Sequence, residues 1–184
     1  MPLANVDSPN GFALLRSGGQ RAPVRRRRVV AAGRADPLMV GDAYSLDASG
    51  QASLAGGTDV AVTTVRGVVE GIILAPIAAS PEGPVSQDYI PAADAGAIIG
   101  IEDLDAEFVA QITTIAAANI GMNVDLTNAT ASSVVLRQSR QELDGAVLDA
   151  ADREFRVIEL LDKPADNALG ANARVVVKMR HVLA

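Results

Sequence analysis

The sequence contains no cysteine and no tryptophan, only one histidine, and just 3% aromatic residues. Each shortage closes off a class of chemistry. Without cysteine there are no disulfides, thiolate metal sites or cysteine nucleophiles. A Ser–His–Asp set would have to use His181 as its base, and no G-x-S-x-G elbow or comparable flank supports one. His181 stands between Arg180 and Val182 in a strand-like run, where a structural or surface role is expected. Two tyrosines and no tryptophan leave little to stack a sugar beside paired carboxylates. There is no phosphate-binding loop and no dinucleotide fingerprint, since the pairs Gly18-Gly19 and Gly56-Gly57 lead into no convincing helix. Long apolar runs are missing too: nowhere do about 18 apolar residues follow one another, as a spanning helix requires. The opening MPLANVDSPNGF lacks a basic stretch followed by an apolar one. The expectation is a soluble chain outside the common secretory route.

What is present points to strands. Hydrophobic residues make up 49% of the 184, so with few rings the core must be filled by Ala, Val, Ile and Leu through many small contacts. Sixteen glycines and nine prolines fall between short Val/Ile/Leu blocks, which suits a fold with many turns better than a helical bundle. The length fits one core. We expect a mainly β fold, of jelly-roll or small β-barrel or sandwich type, with at most one or two short helices. Residues 29–184 form its single β-rich domain, preceded by an extended N-terminal arm over residues 1–28.

The arm is broken by Pro2, Ser8, Pro9, Asn10, Gly11, Gly18, Gly19 and Pro23, and its apolar group is Phe12, Leu14 and Leu15. Such a segment either orders against a neighbouring molecule, with Phe12 as its anchor, or packs on its own domain. Arg25, Arg26, Arg27 and Arg28 then run into a strand. Guanidinium forks suit carboxylates and phosphates. The net charge of −6 and the absence of interleaved aromatics favour a solvated or protein-facing run over direct nucleic-acid binding.

Further along, LMVGDAYSLDASGQASLA reads as strand, bend at Gly41-Asp42, strand, and turn at Ser49-Gly50. VAVTTVRGVVEGIILAPIA is the most β-prone stretch, with Gly67 and Gly71 placed as bulges or bends. Residues 80–96 form a Pro-rich surface loop. AIIGIED reads as a buried strand. Leu104, Phe108, Ile112 and Ile115 have helical spacing, but Phe108, Ala110 and Ile112 also alternate, and the Ile/Thr content favours a strand. A single helical turn before Gly121 and a strand at residues 134–138 follow. Finally EFRVIELL and RVVVKMRHV form two strands joined by a loop rich in Asn, Asp and Gly, read as a sheet edge. Glu102, Asp103, Asp105 and Glu107 make the densest acidic patch; it lacks calcium-loop spacing and reads as solvated. No metal site, catalytic residue or cofactor is implied.

Taken in order, NVDSPNGF (5–12), VGDAYSLDASG (40–50), RGVVEGI (66–72), IEDLDAEFVAQI (101–112), NIGMNVDL (119–126), SRQELD (139–144) and FRVIELLDKPADNALGANARVVVKMRHVL (155–183) resemble the head decoration, or cement, proteins of tailed bacteriophages. The resemblance implies a non-enzymatic protein made in the host bacterial cytoplasm and carried on the outer surface of the phage head. Its partners would be the major capsid protein and its own copies, as a dimer or trimer, with no membrane and no direct nucleic-acid contact. Phe12, Leu14, Arg25, Arg26, Arg27 and Arg28 are the expected capsid or subunit contacts. Other non-enzymatic virion parts (tail, fibre, head completion) form a second reading, and an oligomeric β hydrolase a third.

Overall fold

The structure, a computed structural model, describes residues 10–16, 22–56, 65–73, 89–92, 94–127, 139–149, 153–162 and 167–180. Among these the strands are β1 (Ala13–Arg16), β2 (Arg25–Val30), β3 (Leu38–Met39), β4 (Ala43–Leu46), β5 (Ala52–Leu54), β6 (Gly67–Ile73), β7 (Tyr89–Ile90), β8 (Gly96–Ile101), β9 (Glu107–Ile115), β10 (Asn123–Leu126), β11 (Leu143–Asp149), β12 (Phe155–Leu160) and β13 (Gly170–Met179). One 3-10 turn, Ala117–Asn119, precedes β10. The fold is mainly β, as composition and alternation predict. The expected strand at 134–138, His181 and most of the Pro-rich loop lie outside the described residues.

Five strands close into a small barrel in the order β9-β11-β10-β12-β13, because β13 pairs back onto β9 over nearly its whole length. The β9–β11 pair is parallel and the others are antiparallel. Phe108, Ala110 and Ile112 of β9 point inward opposite Val177, Val175 and Ala173 of β13. Large faces small across each of the last two pairs, Val175 over Ala110 and Ile112 over Ala173. That is how a narrow lumen fills with mostly aliphatic side chains around Phe108 and Phe155. Val124, Leu126, Leu143, Phe155 and Val157 complete the interior.

This closure corrects one expectation. The hairpin β12–β13 is not a sheet edge: β12 also pairs with β10 and β13 with β9, so both strands have neighbours on each side. Closing the ring satisfies the backbone groups an edge would leave open. The joining loop is pinned by Asn167, whose amide donates to the carbonyls of Leu161 and Arg174 at 2.6 and 2.8 Å and whose Oδ1 accepts from Arg174 N–H at 2.8 Å.

A second sheet runs β2-β8-β6-β4-β5, all antiparallel, and β3 pairs with β7 as a separate ribbon. Its inner face buries Val30, Tyr44, Leu54, Val69, Ile72 and Ile98. The pairing of β6 with β8 slips between Val69 and Gly71, a bulge at the glycine singled out for one. Val68 and Ile101 belong to the same core as the barrel interior. Gln141 stitches the two bodies together: its Oε1 accepts from Ala43 N–H at 2.6 Å and its Nε2 donates to Ala55 O at 2.7 Å.

The described parts of residues 1–28 are built into both bodies. β1 pairs with β9 of the barrel, and β2 is the outer strand of the second sheet, so a division at residue 28 falls inside a strand.

Candidate interaction surface

β2 pairs with β8 in unbroken register, from Arg25 opposite Ile101 to Val30 opposite Gly96. A strand alternates its side chains, so the four arginines divide into two faces. Arg26 and Arg28 share the side of Val30, which is fully buried against the inner core; Arg25 and Arg27 share the side of Val29, which is 59% exposed.

Two of the four are consumed by the chain itself. Arg28 forks onto Glu102, with its Nη2 donating to Oε2 at 2.6 Å. Glu102 also accepts from the Tyr44 hydroxyl at 2.8 Å and faces the Arg66 guanidinium at 3.2 Å. Its side chain is only 6% exposed. Burial pushes the Glu102 carboxyl up, but the hydrogen bonds from Arg28 and Tyr44 and the charges of Arg28 and Arg66 outweigh it and hold the group below the usual carboxylate value. Burial first, then the bond to Glu102, pushes the Tyr44 hydroxyl well above its ordinary value. Arg25 forks onto Glu70, with one contact at 2.6 Å. Glu70 is the extra residue of the β6 bulge, which turns it toward β2 across the intervening β8.

Arg26 and Arg27 are exposed and pair with no carboxylate among the described residues. On the outer face, register places Arg27, Ile99 and Gly71 in one row and Val29, Ala97 and Ile73 in the next. Val29 and the 38%-exposed Ile73 make the second row an apolar strip beside the Arg27 charge.

The other expected contacts lie elsewhere. Phe12 is 3% exposed and stacked on Phe155 at the barrel, so it packs on its own domain and has no side-chain surface left for a neighbour. Leu14 and Leu15 of β1 are 37% and 43% exposed on the barrel, in a different sheet from β2. The expected contact set therefore divides into an interior residue, a barrel patch and a sheet patch.

The acidic patch is also corrected. Of its four members, Glu102, Asp103 and Glu107 are buried, not solvated, while Asp105 is exposed. Asp103 accepts from the N–H groups of Val24 and Asp105 at 3.2 and 3.0 Å, and Glu107 holds Arg16 and Lys178. Burial becomes affordable for these groups because each has donors at hand. Tyr44, Arg66, Glu70 and Glu102 were absent from the expected contacts. The only sequence signal for their joining is one acid inside a β-prone block (Glu70) and one directly after another (Glu102), which does not specify a partner.

No protein-family model, curated protein or solved structure matches the chain.

Proposed function

We propose that the protein is a non-enzymatic virion component, a capsid decoration or cement protein that binds the outer surface of an icosahedral phage head and bridges neighbouring capsomers. The observation that carries this reading is the division of the arginine run: Arg25 and Arg28 pair with Glu70 and Glu102, while Arg26 and Arg27 are exposed on the two faces of the edge strand β2, Arg27 on the face of exposed Val29. In a chain of net charge −6, that makes the β2 edge a local basic site on an acidic body. It suits acidic carboxylates on a shell subunit, because guanidinium–carboxylate contacts orient as well as attract. The closed barrel and the sheet joined to it supply a scaffold that keeps the site in place. Each contact is modest, and many copies on one lattice multiply it by avidity, which is what resisting outward DNA pressure requires.

The test is loading of purified protein onto heads from its source, read by cosedimentation. Arg26→Ala/Arg27→Ala should lower occupancy and make the remainder more salt-sensitive, with the fold intact by circular dichroism. Unchanged occupancy would remove the contact. Counting copies in purified particles separates the alternatives: hundreds fit decoration, a handful fits a tail or fibre part, and none sinks the reading.

A further inference from the structure

A second surface, unconnected with β2, lies on the barrel wall. The turn after β8, the turn before β10 and the outer faces of β12 and β13 enclose an open groove of about 490 Å³, within the size range of ligand clefts. Leu104 and Ile158 give it apolar walls, and Arg156, Lys178 and Arg180 line it with cations; no Asp or Glu lines it among the described residues. Leu104 is 43% exposed, and Ile120, next to the groove residue Gly121, is 37% exposed.

Register explains why the charge gathers here. Arg156 lies directly opposite Lys178, Lys178 opposite Glu107, and Glu107 opposite Arg16, making one ribbon across four strands. Glu107 serves both Lys178, at 3.4 Å, and Arg16. Arg156 is left with a like charge as its cross-strand neighbour, an arrangement that weakens a sheet unless an anion arrives. Its Nε donates to the carbonyl of Gly121 at 3.1 Å, which fixes the plane of the guanidinium and leaves its terminal nitrogens for a carboxylate. Gly121 itself has φ +89°, a conformation that favours glycine, so the carbonyl that aims Arg156 depends on that residue.

We infer that this groove takes an acidic peptide segment of a partner protein, seating an apolar side chain between Leu104 and Ile158 and a carboxylate on Arg156. A second copy docking through this same face fits poorly, because it would bring the same cations face to face. Nucleic acid fits poorly as well, because the walls are aliphatic and offer no ring for a base to stack on. The inference stands apart from the shell reading, since the groove and β2 share no residue.

The experiment uses the full chain and a short fluorescein-labelled peptide of alternating Asp and Leu, read by anisotropy. Binding should weaken as salt rises, and should fall about tenfold in Arg156→Gln, the loss of one charge-assisted contact. Arg156→Lys should recover only part, because the charge returns without the fork. Leu104→Ser should weaken binding at all salt concentrations, a Lys/Leu peptide should not bind, and Arg26→Ala/Arg27→Ala should leave binding unchanged. No binding by the wild type, or binding by Arg156→Gln and Leu104→Ser as tight as the wild type's, overturns the inference. So does a concentration-dependent dimer in sedimentation that Arg156→Glu dissociates, which would make a second copy the occupant. Displacement of the peptide by a DNA oligonucleotide would overturn it in favour of nucleic acid.

Discussion

The ring of Phe12 lies flat against that of Phe155, with centroids 4.6 Å apart and planes 12° from parallel. Phe155 opens β12 and sits in register with Val124 and Met179 inside the barrel, while the Phe12 N–H donates to Gly41 O at 2.7 Å beside the second sheet. One residue near the N-terminus thus ties barrel and sheet together, using two of the chain's three phenylalanines. Phe12→Ala should cost about 3–5 kcal/mol, the usual range for removing a buried ring. Urea unfolding measures it, and a change below about 0.5 kcal/mol, as for an ordinary surface site, would show that the stack does not hold the bodies together.

Arg27 and Arg28 are chain neighbours with opposite expected phenotypes. Arg28→Ala leaves the buried Glu102 carboxylate with only Tyr44 and Arg66, so stability should fall by about 1–3 kcal/mol, the cost of an under-satisfied buried acceptor. Arg27→Ala touches no partner among the described residues and should stay within about 0.5 kcal/mol. Under the proposed function the order reverses for attachment to heads, where Arg27 matters more. Paired unfolding and cosedimentation on the two variants would expose a failure of either half.

The strands were legible wherever a period of two survives. β9 announces itself through Phe108, Ala110 and Ile112, and β12 through Phe155 and Val157, because inward residues must alternate when one face is buried. The turns were legible through Gly41 and Gly50, whose φ of +88° and +76° are open to few other residues. Partner choice was not. Nothing local to RVVVKM says that it will pair with β9 as well as β12, yet that pairing turns a supposed edge into a closed wall. The same limit hid the contact residues. Glu102 reads as one more acid in an acidic run until the pairing of β2, β8 and β6 brings Arg28 and Arg66 to it. Phe12 reads as an arm residue until β12 offers it a ring.

Tyr44 needs the space above Gly100. A Cβ there would lie 2.1 Å from the Tyr44 hydroxyl oxygen and 2.5 Å from its ring carbons, and Tyr44 is fully buried and held by Glu102. Gly100→Ala should therefore destabilise by about 1–3 kcal/mol through overpacking. Removing the hydroxyl with Tyr44→Phe should not rescue it, since the ring carbons still clash. A double variant as stable as Tyr44→Phe alone would refute this packing argument.

Two carboxyls should shape the pH dependence in opposite directions. Glu154, just before β12, is 5% exposed, and its Oε2 meets no partner among the described residues. Burial, then a hydrogen bond with Asp125, raises its carboxyl from the ordinary 4.5 to about 8, with the nearby Arg153 charge opposing. The folded state therefore keeps a proton that the unfolded chain releases, so this stabilisation is full below 4.5, declines as pH rises, and is gone above about 8. Glu102 runs the other way: its lowered value contributes stability above the ordinary carboxyl range that is lost as pH falls through the folded value. Urea midpoints should accordingly fall from about pH 5 to about pH 8 in the wild type. Glu154→Gln, neutral at every pH, should flatten that limb and leave the acid limb in place, while Glu102→Gln should shrink the acid limb alone. A wild-type midpoint that holds level from pH 5 to 8 would mean that the Glu154 carboxyl reaches water in the folded protein.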